Sequence, residues 1–210
     1  MIKAIIFDWN GVIIDSLKLD YDIFHREANT YNIKVPKSMK FYRTLYDGNI
    51  FDTLTKLGFE FETGDDEYKK LFIKYIRKAP IFSGMKKLLE QLHEKYKIAM
   101  ITSNYISNVS VFNKKYKIGG LFDAILTADV SHYKEKKIKI FLKKISLKKK
   151  EVIFVSDTVS DIKVCKNSGL KIIAATWGYQ KKNHLIKHNP DFIANKPQDI
   201  IKILGAIKNE

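Results

Sequence analysis

The sequence predicts a doubly wound α/β fold: a parallel sheet with helices on both faces and a small all-α insert after the first strand. Three observations predict it. Residues 4–7, 98–101, 152–155 and 172–175 are continuous apolar runs rather than alternating ones, as expected of strands buried on both faces. Helical patterns lie between those runs, which gives the strand–helix alternation of a parallel sheet. The stretch from Ser16 to Phe82 breaks the alternation and is far longer than a crossover connection requires.

Taken in order, the first strand ends in Asp8 and turns at Gly11. The insert reads as helices over residues 19–29, 38–45, 50–57 and 66–77, punctuated by Gly48, Gly58 and Gly64, and the chain returns to the core at Pro80. Ser83 is the candidate N-cap of a helix over residues 85–94, whose Met85, Leu88, Leu89 and Leu92 follow helical spacing. After the strand at 98–101, a short strand is expected at 124–127. A second amphipathic helix is expected at 136–145, with Ile138, Phe141, Leu142 and Ile145 on one face. The strands at 152–155 and 172–175 follow, and a last short one at 192–194. The expected division is a core of residues 1–15 and 80–210 with an insert of 16–79. There is no internal repeat and no low-complexity linker.

Bulk properties narrow the function classes. The 210 residues can bury a sizeable core, and the 45% hydrophobic content is that of a globular protein. No apolar run is long enough to span a bilayer, so no membrane association is expected. The single cysteine, Cys165, excludes an intramolecular disulfide and suits a reducing compartment, so the cytoplasm is the expected location. The net charge of +15 comes mostly from lysines spread along the chain; only Arg26, Arg43 and Arg77 are arginine. Bidentate readout of bases and phosphates favours arginine, so the charge is read as a solvated surface rather than a nucleic-acid patch. Its field still attracts small anions.

Polar clusters follow the apolar runs. Asp8 and Asn10 follow the first, Thr102-Ser103-Asn104 the second, and Ser156-Asp157-Thr158-Val159-Ser160-Asp161 the third, while Lys134 opens the helix before the third. In a parallel sheet these strand ends share one edge, so the residues converge. Carboxylates, a hydroxyl and a lysine at one place suit Mg²⁺ and phosphate, because a hard cation takes oxygen ligands.

These stretches, Phe7-Asp8-Trp9-Asn10-Gly11-Val12, Ile101-Thr102-Ser103-Asn104, Lys134 and Val155-Ser156-Asp157-Thr158-Val159-Ser160-Asp161, resemble the four motifs of the haloacid dehalogenase superfamily. The likeness is to its phosphoglycolate-phosphatase-like branch, and Thr176-Trp177-Gly178-Tyr179 and the stretch from Asn189 to Ile200 resemble that branch too. The resemblance implies a Rossmann-like core with the insert as an α-helical cap. It implies a phosphohydrolase acting on a small phosphorylated metabolite, with Asp8 as nucleophile forming an aspartyl-phosphate. Mg²⁺ would be held by Asp8, the backbone carbonyl of Asn10, Asp157 and Asp161. Thr102, Ser103 and Asn104 would surround the transferring phosphate, and Lys134 would pair with both Asp8 and phosphate. The segment from Tyr42 to Asn49 lies where the branch has its specificity loop, so Arg43 is the candidate for a second anionic group, against the plain reading of a surface arginine. Tyr42 and Tyr46 are expected as core or rim aromatics. His25, His93, His132, His184 and His188 show no metal-ligand spacing and are expected on the surface or in packing.

Three positions depart from the family pattern. Glu135 follows Lys134 where proline is usual. Ser156 precedes Asp157 where glycine is usual, which would strain a positive φ. Asn10 stands where most phosphatases of the superfamily have the aspartate that protonates the leaving group, and an amide cannot exchange that proton. Three readings stay open: a phosphatase slow on ordinary esters, acting on good leaving groups or with another acid; different chemistry, such as phosphonate C–P cleavage through a cap lysine; or phosphate binding without turnover.

Overall fold

The computed structural model describes residues 1–60 and 72–207. In chain order the elements are β1 (Ala4–Phe7), α1 (Leu17–Thr30), α2 (Met39–Thr44) with a 3₁₀ turn at Leu45–Asp47, α3 (Ile50–Lys56) and α4 (Met85–His93). Then come β2 (Lys97–Ile101), α5 (Ile106–Tyr116), β3 (Ala124–Leu126), α6 (Lys134–Ile145), β4 (Val152–Ser156) and α7 (Val159–Ser168). The chain ends with β5 (Lys171–Ala175), α8 (Lys182–Ile186), β6 (Phe192–Ala194) and α9 (Asp199–Ile207). Residues 72–76 are also helical; the start of the helix expected from residue 66 and Gly64 lie outside the described residues.

The six strands form one sheet in the order β3-β2-β1-β4-β5-β6, with every pairing parallel. β1 is central, and its last residue, Phe7, is in register with Met100 of β2 and Val155 of β4. All the strand C-termini therefore reach one edge together, and the chain order reverses there.

Strand alternation sorts the core into two layers. Ile5, Phe7, Ile98, Met100, Ile153 and Val155 pack with Leu88, Leu89, Val109, Phe112 and Leu204, from α4, α5 and α9. Ala4, Ile6, Ala99, Ile101, Phe154 and Ile172 pack with Ile138, Phe141, Ile162 and Cys165, from α6 and α7. Each large buried aliphatic or aromatic side chain contributes about 1.5–3 kcal/mol. These two layers are the reason a continuous apolar strand is needed.

A third cluster joins Phe24, Ala28, Tyr42, Leu45 and Phe59 of the helical insert to Tyr179, which follows β5. Ser38 caps α2 by accepting from Phe41 N. The element ends fall within two residues of the sequence reading, and one helix cap differs. The residue before α4 is Gly84, at φ +78°, so Ser83 is not the N-cap: only glycine adopts that backbone cheaply. α6 begins at Lys134, the residue expected to open it, two residues before the amphipathic stretch 136–145, and it turns Lys134 and Lys137 inward with Ile138. Among the described residues no helix is long and apolar enough to cross a membrane.

Candidate active site

Asp8 is the first residue past β1, and its N–H still donates to Val155 O at 2.9 Å, so the sheet fixes where it leaves. Its Oδ1 accepts from Trp9 N at 2.7 Å. Its Oδ2 lies 2.9 Å from Lys134 Nζ, and the same ammonium lies 2.7 Å from Asp161 Oδ2. Lys134 opens α6 and Asp161 sits in the first turn of α7, so the triad joins three segments at one sheet edge. Burial pushes the Asp8 carboxyl up to about 6, helped by repulsion from Asp161 and opposed by Lys134. Burial pulls the Lys134 ammonium down, but the two carboxylates outweigh it and hold its pKa above the usual lysine range.

Ser156 is in β4 with an ordinary φ, so the strain expected of a non-glycine there does not arise. Its hydroxyl instead donates to Asp161 Oδ2 at 2.5 Å. Glu135 sits within the first turn of α6, where an acidic side chain suits the helix dipole.

Asp157 is fully buried. Its Oδ2 accepts from Tyr179 N at 2.6 Å, and its Oδ1 has no hydrogen-bond partner. Burial, then repulsion from Asp8, raises its pKa well above the usual carboxylate range. Gly11, at φ +73°, and Gly178 press against it, and a Cβ on either would collide with Asp157 Oδ2. Among the described residues no three His, Cys, Asp or Glu side chains form a cage. Mg²⁺ does not need one: it keeps waters and binds through one or two carboxylates plus substrate phosphate. The orphaned Asp157 Oδ1, the repulsion between Asp8 and Asp157 and the oxygen-only donor set fit a hard divalent cation.

Thr102 follows β2, its N–H donating to Leu126 O at 3.0 Å and its Oγ1 accepting from Asn104 N at 3.0 Å. Asn10 is held on both sides. Its Oδ1 accepts from Asn104 Nδ2 at 3.2 Å, and its Nδ2 donates to Ser16 Oγ at 2.8 Å and to Asp20 Oδ2 at 2.9 Å. Asp20, on α1, also accepts from Ser16 Oγ and from the Tyr179 hydroxyl, while its Oδ1 has no partner. Burial raises the Asp20 carboxyl to about 6. Sequence reasoning missed this second carboxylate. Its signal was the Ser16–Asp20 spacing, which brings the residue that opens α1 and one on its first turn together beside Asn10.

A cleft of about 1250 Å³ opens over this edge. Asp8, Asn10, Thr102, Ser103, Asn104, Lys134 and Asp161 line its floor. Phe24, Tyr42, Tyr46 and Phe51 of the insert line the other wall, with His132 stacked on Phe51 at 3.8 Å between ring centroids. Arg43 does not join the lining; its guanidinium donates to Tyr179 O. The insert is pinned over the cleft by Asp47, whose Oδ1 accepts from Gln180 Nε2 at 2.7 Å and lies 2.7 Å from His184 Nε2.

The sequence matches the haloacid dehalogenase-like hydrolase family over residues 5–175, which takes in every strand but β6 and all the floor residues above. The chain belongs to this family. Among haloacid dehalogenase-like relatives, it is 25% identical over 218 residues to the pyrophosphatase PpaX of Bacillus cereus, covering 97% of each chain. It is 22% identical over 216 residues to a phosphoglycolate phosphatase of Synechococcus elongatus, covering 99% of this chain and all of the other. A haloacid dehalogenase-like hydrolase from Streptococcus pneumoniae has the same fold, with a TM-score of 0.78 at 23% identity over 97% of this chain and 98% of the other.

Proposed function

We propose that this haloacid dehalogenase-like protein is a Mg²⁺-dependent phosphohydrolase of small phosphorylated metabolites, with Asp8 as the phosphoryl acceptor. The carrying observation is the single ammonium of Lys134, 2.9 Å from Asp8 and 2.7 Å from Asp161 at the floor of the cleft. A buried cation keeps Asp8 ionised despite its desolvation, and an ionised carboxylate is the form that attacks phosphorus. Residues 1–15 and 80–210 act as the catalytic core and 16–79 as a cap over it. The single buried cysteine suits the reducing cytoplasm. The lysine-rich surface is a solvated one and attracts the anionic substrate rather than nucleic acid.

In the first step an Asp8 oxygen bonds to phosphorus as the bond to the leaving oxygen breaks. Thr102 and the Ser103 N–H hold the phosphoryl oxygens, and Lys134 offsets their charge. Water then attacks the phosphorus of the aspartyl-phosphate, releasing phosphate and restoring Asp8. The residues that would hold Mg²⁺ are Asp8, the Asn10 carbonyl and Asp157, with Asp161 completing the acidic set. Bound there, the ion supplies the neutralisation that lets an anionic carboxylate approach an anionic phosphate.

Asn10 offers the leaving oxygen no proton. The oxygen therefore departs as an anion or takes its proton from water, which favours leaving groups of low basicity. The aromatic wall of Phe24, Tyr42, Tyr46 and Phe51 suits a ring-bearing leaving group. Arg43 donates to Tyr179 O and does not line the cleft, so it offers a second anion no partner there. Phosphonate cleavage would need a lysine of the insert in the cleft, and among the described residues none lines it; Lys18 is exposed and paired with Asp22.

The test is hydrolysis of p-nitrophenyl phosphate, nucleoside monophosphates, alkyl phosphates and pyrophosphate with Mg²⁺, by the natural chain and by Asp8→Asn. The proposal expects turnover of the aryl ester that Asp8→Asn abolishes. An unchanged rate in Asp8→Asn overturns the role of Asp8, and phosphate binding without turnover overturns the enzyme reading.

A further inference from the structure

Lys137 is fully buried one helical turn beyond Lys134, on the inward face of α6 beside Ile138 and Phe141. Its Nζ donates to the backbone carbonyl of Thr102 at 2.5 Å. No carboxylate of the described residues pairs with it. The charged groups that act on it are Lys134 on its own helix, Asp8 after β1, Asp161 on α7 and Asp129 in the loop before α6. Burial, then repulsion from Lys134, lowers its pKa to about 7. A buried amine with a single carbonyl partner is destabilising, and an apolar side chain would fill the position at less cost.

The Thr102 carbonyl belongs to the same peptide unit as the Ser103 N–H. A trans peptide is planar, so the carbonyl and the N–H point to opposite sides. With the carbonyl turned to Lys137, the N–H faces away from it. Ser103 lines the cleft with Asp8, and its N–H meets no acceptor among the described residues. A donor on the carbonyl oxygen of an amide polarises the unit and strengthens its N–H as a donor.

We propose that Lys137 is a positioning residue which, by donating to Thr102 O, fixes and polarises the Thr102–Ser103 peptide so that the Ser103 N–H grips a phosphoryl oxygen. This rests on Asp8 being the phosphoryl acceptor. Lys137 itself touches no substrate and acts through the amide.

The experiment compares Lys137→Met, which keeps the length and removes the donor, with the natural chain and with Lys137→Arg. The substrate is p-nitrophenyl phosphate with Mg²⁺, and circular dichroism checks folding. Expected is a fall of about tenfold in kcat for Lys137→Met with KM little changed, less than the loss of a whole oxyanion donor. Lys137→Arg recovers part of the rate. On the alkaline side the kcat of the natural chain falls in part, as Lys137 loses its charge and becomes a weaker donor to Thr102 O, and that limb is absent in Lys137→Met. A folded Lys137→Met with unchanged kcat and pH profile overturns the proposal. Should Lys137→Met not fold, the Ser103 amide of the natural chain is followed by ¹⁵N–¹H NMR with inorganic phosphate bound; a resonance that does not move as Lys137 titrates overturns it too. Asp8→Asn separates the two claims. If it stays active the phosphoryl-acceptor reading fails, whereas if it is dead and Lys137→Met is normal only this inference fails.

Discussion

Asn10 donates its side-chain amide to the buried carboxylate of Asp20 at 2.9 Å. The position that carries an acid in most phosphatases of the superfamily is thus an amide locked to a second carboxylate on α1. The pair is complementary as it stands: the amide supplies donors, and Asp20 accepts from Asn10, Ser16 and Tyr179.

Asn10→Asp therefore has two opposed effects. It supplies the missing acid, so turnover of alkyl phosphates is expected to rise by about 10²-fold, while aryl esters gain little. It also sets two carboxylates within hydrogen-bond distance, which lowers stability by about 1–3 kcal/mol near neutral pH. Urea unfolding and a substrate panel read both effects. A second change, Asp20→Asn, in the same chain is expected to restore the stability.

Lys134→Met leaves Asp8 and Asp161 buried without their cation. Breaking a buried pair in this way costs about 3–5 kcal/mol, so a large drop in the urea midpoint is expected at pH 7.5. The deficit shrinks as the pH falls and the stranded carboxylates take up protons. A midpoint unchanged at every pH would refute this account of the triad.

Gly178→Ala puts a methyl group into Asp157 Oδ2 and the Gly11 carbonyl. Neither can retreat far, since both are buried at the sheet edge. At least about tenfold weaker Mg²⁺ activation is expected, measured as the concentration giving half-maximal rate, together with a loss of about 2 kcal/mol in stability.

In metal-free protein, held in EDTA, Asp20 sets a pH dependence of stability. Its folded pKa of about 6 lies above the unfolded value of 3.8, so folding binds its proton more tightly. That contribution is fully present below about pH 4 and is lost as the pH rises through 6, an order of about 2–3 kcal/mol in all. The urea stability of the natural chain relative to Asp20→Asn is expected to decline across that window. A difference that stays flat from pH 4 to 7 counts against it.

The central sheet was legible because burial on both faces forces uninterrupted apolar strands, and β1 at Ala4–Phe7 and β4 at Val152–Ser156 fall where that pattern puts them. Asp8, Thr102, Lys134, Asp157 and Asp161 were legible because each follows or opens an element of that pattern. Other features were hidden for particular reasons. Lys137 sits in a lysine-rich run, Lys134-Glu135-Lys136-Lys137, where only the inward turn of α6 tells one lysine from the next. Asp20 reads as an ordinary polar residue of an amphipathic helix until Asn10 is beside it. Arg43 carried the right charge for a second anion, but its direction depends on Tyr179, 136 residues away in the chain. His132, expected on the surface or in packing, forms part of the cleft wall because Phe51 lies flat against it.

Tyr179 ties two things together that chemistry would otherwise keep apart. Its ring belongs to the apolar cluster of the helical insert, its hydroxyl engages Asp20 and Ser16, and its backbone N–H holds Asp157 at 2.6 Å. The insert is therefore tied through Tyr179 to the loop that holds Asp157. To part from the core it must either abandon one of its own aromatic packing partners or tug on the loop that aims Asp157. Movement of the insert and the setting of the Asp157 carboxylate are therefore coupled at Tyr179, beside the ties that Asp47 makes to Gln180 and His184.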